Sequence, residues 1–310
     1  MPPAEPPADD RPAAAKRRPL TFGICRNPTL PFPELVRQFR LYEELGFDTA
    51  WLTDHFQRPS GPEEPFLEGW TTLAAILPRT ERIRAGVLVS SNTFRSPALL
   101  AKMAITLDQI SDGRLEVGLG AGWYAREHEQ FGIDFPEPGE RVGRFAEAVA
   151  VIDLLLREAG GSFAGTYYRL DGAALVPGSQ QRPRPPLTLG AHGPRMLATV
   201  ARYADRWNSF GTVAEIRERN ARLDEACARI GRDPNAIIRS FFGQVPRETM
   251  ANRLDFDPWE SPDAYAHMVG IYGEAGITDF ITDGPEPHQM ATTARIATDL
   301  LPRLRAAPSR

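Results

Sequence analysis

Residues 83–120 read IRAGVLVSSNTFRSPALLAKMAITLDQISDGRLEVGLG and decide the fold class. A short apolar run over 83–89 is followed by a helix that Pro97 opens and that Ser-Asp-Gly closes just after Ile110. A second apolar run, 115–120, follows at once. Two buried strands joined by an amphipathic helix are typical of a parallel βαβ unit, because parallel neighbours need a long crossover connection.

The same alternation continues on both sides of this unit. Further strands are predicted at 20–24, 49–53, 187–190, 206–210, 237–243 and 277–282. Further helices are predicted over 33–45, 67–79, 141–158, 194–203, the segment that ends at Ile230, 261–275 and 287–305. Eight strand–helix units predict a closed (β/α)8 TIM barrel rather than an open sheet. The sequence thus predicts one domain over 20–310, with an irregular insertion after strand four at 159–186.

The first nineteen residues, MPPAEPPADDRPAAAKRRP, have a different composition. Proline, alanine and scattered charge cannot form a core, so we expect residues 1–19 to be a disordered tail. They contain no apolar stretch of the kind found in a secretory signal. A docking arm is the alternative.

Charge and cysteine content exclude several classes of protein. The 310 residues carry 36 Lys+Arg against 40 Asp+Glu, a net charge of −4, which gives no basis for binding nucleic acid or an anionic membrane. No apolar run is long enough to span a bilayer. The two cysteines, Cys25 and Cys227, form no CxxC, and the five histidines have no metal-ligand spacing. We therefore expect a cytoplasmic protein that partners a small molecule and holds no metal.

Active sites of TIM barrels lie where the strands end, on the βα loops. Strand two ends in Asp54-His55, a pair suited to acid–base chemistry, although the histidine could equally cap the loop. Strand three ends in small polar residues that could lie beneath a flat ring. Arg95, which follows them, is expected to be an ordinary surface arginine.

Strands four and five end in glycine-rich turns. Residues 118–122 read GLGAG, which is not the dinucleotide fingerprint GxGxxG. They favour either close approach of a planar ligand or a tight turn. Residues 190–195 read GAHGPR, and Pro194 begins a helix whose exposed amides favour a phosphate. A glycine hinge without a ligand is the alternative.

Four long runs, together and in this order, resemble the luciferase-like family of flavin- and deazaflavin-dependent oxidoreductases. They are GFDTAWLTDHFQ (46–57), FLEGWTTLAA (66–75), SPALLAKMAITLDQISDGRLEVGLGAGW (96–123) and PRPPLTLGAHG (183–193). The chain is most similar to the branch that uses coenzyme F420. The resemblance implies a TIM barrel, a homodimer, and transfer of a hydride between the deazaflavin C5 and a small organic substrate.

The resemblance also assigns roles to individual residues. His55 matches an active-site base, and Asp54 would contact the pyrimidine edge of the deazaflavin. Leu88 and Val89 match a non-prolyl cis peptide behind the ring. Trp123 would reach the substrate pocket. The remaining cofactor contacts would be Ala121, Gly122 and Glu127 along the ring and ribityl chain, and Gly190, Ala191, His192 and Gly193 at the phosphate.

Two alternatives remain open: an FMN-dependent monooxygenase that uses oxygen, and a non-catalytic flavin-binding protein. The full set of basic residues with which sugar-phosphate enzymes of the branch hold their substrate is not recognisable here, which argues against glucose 6-phosphate. The loops 56–68, 159–186 and 243–260 are expected to shape the pocket. Trp70 and Trp259 could reach it, although core packing is favoured for Trp70.

Overall fold

The computed structural model describes residues 18–59, 61, 63–245 and 254–306. Eight parallel strands close into a barrel. They are β1 (Thr21–Arg26), β2 (Thr49–Leu52), β3 (Arg84–Val87), β5 (Leu115–Gly120), β8 (Leu187–Gly190), β9 (Arg206–Ser209), β10 (Ile238–Gly243) and β11 (Asp279–Asp283). The others are β4 (Ser90–Ser91), which continues β3, and the hairpin β6 (Gly160–Ala164) and β7 (Arg169–Ala174).

The helices follow the strands around the outside. They are α1 (Phe32–Glu44), α2 (Gly69–Ile76), α3 (Pro97–Ile110), α4 (Ala125–Phe131), α5 (Pro138–Glu158), α6 (Pro194–Tyr203), α7 (Val213–Arg229) and α8 (Pro262–Gly273). The last helical segment consists of α9 (Met290–Arg295), a π-helical turn and α10 (Leu301–Ala306).

The barrel closes because β3 pairs with β2 on one side and with β5 on the other. Along the sheet the order is β3-β2-β1-β11-β10-β9-β8-β5, and β3 also pairs with β5, so the ring has no free edge. Apolar side chains from both faces of the strands are buried, as expected where helices cover a parallel sheet. The predicted TIM barrel is confirmed.

Three details differ from the sequence prediction. The strand predicted over 83–89 ends at Val87, because the peptide between Leu88 and Val89 is cis and turns the chain before β4 begins. The stretch 159–186 is not wholly irregular, since β6 and β7 form an antiparallel hairpin within it. The helix α4 was not predicted, because its polar sequence AREHEQF has too few apolar positions to show a period.

The predicted tail can be compared with the structure only at its end. Residues 1–17 lie outside the described residues, and Arg18 donates a hydrogen bond from Nη2 to the carbonyl oxygen of Ala236. Among the described helices, none combines the length and apolar character needed to cross a membrane.

The glycines of the GLGAG turn make room for β3 and for the cis bend. A Cβ on Gly118 would overlap the carbonyl oxygen of Val87, and a Cβ on Gly120 would lie 2.6 Å from Cγ2 of Val89. The close approach that these glycines allow is therefore between two strands of the barrel.

Replacing Gly118 by alanine is expected to destabilise the fold by about 1–3 kcal/mol. The reason is that the new Cβ would displace the backbone of Val87 rather than a flexible side chain. Gly270→Ala on α8 is the control, since a Cβ there meets nothing within 4 Å. That variant should gain up to about 1 kcal/mol. Urea unfolding measures both, and a Gly118→Ala variant as stable as the parent would contradict this account.

Candidate active site

His55 and Glu127 meet at the mouth of the barrel. Their loops follow β2 and β5, whose carboxyl ends open on the same side. Nδ1 of His55 lies 2.9 Å from Oε2 of Glu127, and Oε1 accepts the backbone amide of Phe56 at 2.7 Å. The Glu127 side chain is fully buried, whereas that of His55 is 16% exposed. The carboxylate therefore orients the imidazole and leaves Nε2 as the nitrogen without a partner in the described part of the chain.

Three aromatic rings surround His55 edge-on. The ring centroids of Trp123, Phe66 and Tyr124 lie 5.8, 6.4 and 6.5 Å from the imidazole centroid. Trp123 remains 59% exposed, so this wall opens to solvent on one side. The arrangement forms an apolar enclosure around one polar group, which is the usual composition of a small-molecule site.

Asp54 belongs to a different cluster from its neighbour His55. Its carboxylate accepts two hydrogen bonds from Arg95, at 2.7 and 2.9 Å, and one from the amide of Ser91 at 2.8 Å. The expectation that Arg95 is a surface residue was wrong: its side chain is only 12% exposed. Because these donors occupy the Asp54 carboxylate, its principal role in the structure is to tie the loop after β3 to the end of β2.

The cis peptide between Leu88 and Val89 lies where the resemblance predicts it. Leu88 packs with Trp51, Cys25 and Ile281 in a small cluster inside the barrel. A Cβ on Gly190 would come within 3.2 Å of Cγ2 of Val89, so the valine reaches across to the end of β8. The bend thus forms an apolar floor at the barrel mouth.

The segment Gly190–Gly193 leads directly into α6. Ala191 is buried, and its carbonyl oxygen accepts a hydrogen bond from Nε1 of Trp207 at 2.8 Å. Gly193 is the N-cap residue of α6, no side chain caps the helix, and a Cβ there would meet nothing within 4 Å. The helix N-terminus is therefore open to an anion.

His192 packs edge-on against Phe210, with 4.5 Å between ring centroids. Burial, together with the positive charge of Arg219, lowers the pKa of His192 to about 4, although Glu215 opposes this shift. The imidazole is consequently neutral at pH 7.

Glu127 and its neighbours on α4 fix the loop after β5. Gly122 has φ +84°, and a Cβ there would approach Oγ of Ser91 at 2.8 Å. Nε2 of His128 forms a hydrogen bond with Oγ1 of Thr93 at 2.6 Å. The predicted ligands Ala121 and Gly122 thus lie on a well-anchored turn, whereas the Glu127 carboxylate is directed at His55 rather than at open space.

The other tryptophans belong to the core. Trp70 is buried and donates to Oγ of Ser90 at 2.9 Å, as favoured from the sequence. Trp259 is also buried and donates to the carbonyl oxygen of Asp283 at 2.7 Å, so the suggestion that it could reach the pocket was wrong. Within the described ranges, no three potential metal ligands cluster together.

The sequence profile of luciferase-like monooxygenases matches residues 17–253. The chain belongs to this family. Its barrel superposes on coenzyme F420-dependent tetrahydromethanopterin reductase from Methanopyrus kandleri with a TM-score of 0.78, at 18% identity, covering 93% of this chain and 100% of the reductase. At that identity the comparison shows the fold alone.

Two relatives are more similar in sequence to this luciferase-like protein than the reductase is. It is 34% identical to the F420-dependent glucose-6-phosphate dehydrogenase of Amycolatopsis mediterranei, over 88% of this chain and 95% of that enzyme. It is 33% identical to a phthiodiolone/phenolphthiodiolone dimycocerosates ketoreductase of a Mycobacterium species, over 76% of this chain and 61% of that enzyme. These relatives differ widely in the substrates that their names state.

Sequence reasoning missed the two side-chain pairs that organise the site of this family member. Asp54 and Arg95 are 41 residues apart and His55 and Glu127 are 72 apart, on separate βα loops. No local spacing rule connects such residues. The only available signal was that each follows the end of a barrel strand.

The neutral state of His192 predicts a pH-dependent loss of stability. The unfolded histidine, with a pKa near 6.5, takes up its proton before the folded one does, so stability falls as the pH drops from 6.5 towards 4. At pH 5 the loss should be about 2 kcal/mol. His192→Gln should lose less stability than the parent between pH 7 and pH 5 in urea melts. Equal losses would show that His192 takes up its proton over the same pH range in the folded and the unfolded protein.

Proposed function

We propose that the protein is an F420-dependent oxidoreductase that transfers a hydride between the deazaflavin C5 and a small organic substrate. The observation that carries the proposal is the His55–Glu127 pair at the mouth of this luciferase-like barrel. Relatives named as F420-dependent enzymes align over most of the chain and support the choice of cofactor.

The described residues fit a bound deazaflavin at two points. The bend at Leu88–Val89 offers apolar side chains to a ring, and the α6 N-terminus beside Gly193 offers amides to a phosphate. Leu88, Val89, Gly190, Ala191, His192 and Gly193 would hold the cofactor, with Ala121 and Gly122 nearby. When bound, the deazaflavin supplies the two-electron redox chemistry at C5.

Hydride transfer is accompanied by the transfer of a proton, and moving that proton is the role of the protein's own residues. If the substrate is an alcohol, loss of a hydride from carbon requires loss of the hydroxyl proton, which Nε2 of His55 can accept. In the reducing direction the imidazolium returns that proton to the developing alkoxide. Glu127 holds Nδ1 in both directions, so the ring does not have to reorient during the reaction.

The enclosure around His55 supports an organic substrate with an apolar part. Trp123, Phe66 and Tyr124 present ring surfaces and edges beside the imidazole, with Trp123 at the open side. Such walls can orient a carbon skeleton against the polar group.

Titration of the purified protein with F420 and with FMN tests the cofactor. Reduced F420 should bind with a dissociation constant in the micromolar range or tighter, and FMN markedly more weakly. Isothermal calorimetry measures both affinities. Tight FMN binding without F420 binding would instead support an oxygen-using monooxygenase, and F420 binding without turnover of any substrate would support a non-catalytic role.

His55→Ala should lower kcat by about 10²–10⁴-fold, which is the usual contribution of a general acid–base group. Cofactor affinity should remain close to that of the parent, because the phosphate cradle and the floor are intact. Glu127→Gln should lower kcat less and should alter its pH profile, since the amide still fills the space. Stopped-flow oxidation of the bound reduced cofactor by a surrogate acceptor gives the rates.

The exposed His288 provides the matched control, and His288→Ala should leave kcat unchanged. A folded His55→Ala variant that turns over at the parent rate would remove His55 from the reaction. The homodimer and the cytoplasmic location stay predictions from the sequence and the family resemblance.

A further inference from the structure

The exit of β1 carries a polar side chain that the proton transfer at His55 does not use. Asn27 is the first residue after β1, and Cys25, two residues earlier, belongs to the cluster inside the barrel. Because side chains alternate between the two faces of a strand, Asn27 is directed to the inner face, at the mouth of the barrel. An amide group thus stands among the strand exits that form the candidate site.

Two contacts place Asn27 beside the enclosure of His55. Its Oδ1 accepts a hydrogen bond from Oγ1 of Thr53 at 2.8 Å, and Thr53 lies two residues before His55. The carbonyl oxygen of Pro28 accepts, at 2.9 Å, the backbone amide of the residue that follows Phe66. The ring of Phe66 is one of the three that surround His55. Both segments that adjoin Asn27 therefore lead directly to the imidazole.

The hydrogen bond from Thr53 decides which end of the Asn27 amide is available. Because Oδ1 accepts from the hydroxyl group, Nδ2 is the other end, and its two N–H groups have no partner among the described residues. The side chain is partly exposed, so that water can satisfy these donors until a ligand takes its place. Nδ2 can therefore donate a hydrogen bond to an oxygen atom of a bound molecule.

A hydrogen-bond acceptor stands near this donor, at the exit of β11. Asp283 pairs in register with Cys25 and lies on the same inner face as Ile281. Its Oδ2 accepts the amide of Val245 at 3.1 Å, and a carboxylate has further acceptor positions. A donor and an acceptor on neighbouring strands suit a hydroxyl group, which accepts from the one and donates to the other.

The charges of the described residues at these exits favour a neutral group over an anion. Arg26 precedes Asn27 but lies on the outer face of β1 together with Ile24. Its Nη1 donates to the carbonyl oxygen of Pro285 at 2.8 Å. The cation is thus turned away from the mouth, and the charged group on the inner face beside Asn27 is the carboxylate of Asp283. Neither arrangement favours a phosphate.

We propose that Asn27 determines substrate specificity by binding a second oxygen atom of the substrate, a neutral hydroxyl group separate from the one at the reacting carbon. The inference rests on the proposed oxidoreductase function, in which His55 exchanges the proton of the reacting oxygen. It names the substrate class, which is an alcohol or ketone with a further hydroxyl group on an apolar skeleton. The aromatic rings around His55 contact the skeleton, and Asn27 binds the further hydroxyl group.

Substrates that differ by one hydroxyl group test the assignment. The parent protein, loaded with F420, is assayed with cyclohexanol and with the positional isomers of cyclohexanediol. For at least one diol kcat/KM should be about tenfold higher, which is what one net hydrogen bond contributes at most. Asn27→Asp keeps the acceptor for Thr53 but lacks the N–H donors, so it should remove the preference by raising KM for the diol. Its kcat at saturation and its affinity for F420, measured by fluorescence titration, should stay at the parent values.

Binding without turnover gives a second measurement. Cyclohexanone and the hydroxycyclohexanones are titrated by calorimetry into the protein loaded with oxidised F420, a state in which no hydride is available for transfer. The parent should bind one hydroxyketone about tenfold more tightly than cyclohexanone, and Asn27→Asp should not.

A matched control makes the same substitution far from the mouth. Asn235 is exposed and precedes β10, at the amino end of the strands, and Asn235→Asp should leave every preference unchanged. If Asn27→Asp does not fold, as judged by its thermal melt, Thr53→Val replaces it. That variant removes the donor that orients the Asn27 amide, and it should reduce the preference in part.

The outcomes separate this inference from the proposed function. Failure of the parent to bind F420 would overturn the proposed function. A parent that binds F420 but prefers none of the hydroxylated compounds, in turnover or in binding, would overturn the role of Asn27 and leave the use of F420 intact. If Asn27→Asp weakens F420 binding and leaves the preference for the diol unchanged, Asn27 contacts the cofactor and the assignment to substrate is wrong.

Discussion

The barrel depends on one buried cation held between two buried carboxylates. Arg206 on β9 lies 2.7 Å from Oε2 of Glu116 on β5 and 3.3 Å from Oδ2 of Asp279 on β11. Burial would lower the pKa of Arg206, but the two carboxylates together raise it, so it remains charged. Arg84 on β3 and Thr21 on β1 bind the same carboxylates. One network thus joins five strands, and removing Arg206 would take away a cation that two buried carboxylates share.

Buried carboxylates also connect separate elements at the mouth of the barrel. The Glu127 carboxylate is fully buried and accepts from His55 and from the amides of Phe56 and Gln57. It thereby joins the loops after β2 and β5 and sets the direction of the imidazole. Asp54 joins the loops after β2 and β3 in the same way through Arg95. Buried carboxylates thus cross-link the first residues of these loops, and such links can hold a functional group in place.

The chemistry is distributed over separate βα units. The loop after β2 supplies His55, the bend after β3 supplies the floor, and the junction of β8 with α6 supplies the open helix N-terminus. The aromatic rings around His55 come from the loops after β2 and β5 and not from the junction of β8 with α6. Residues on one βα loop can therefore change while another loop keeps its sequence, so that one fold can serve different chemistry.

The amino-acid sequence by itself determined the barrel, the positions of His55 and Gly193 at strand exits, and the cis bond at Leu88–Val89 through family resemblance. These features follow from periodicity and from motifs within a single βα unit. Only the tertiary structure decided that Glu127 binds His55 and that Arg95 is buried against Asp54. The reason is physical: parallel strands align residues that are far apart in sequence, and which side chains then meet depends on strand register, which no local pattern encodes.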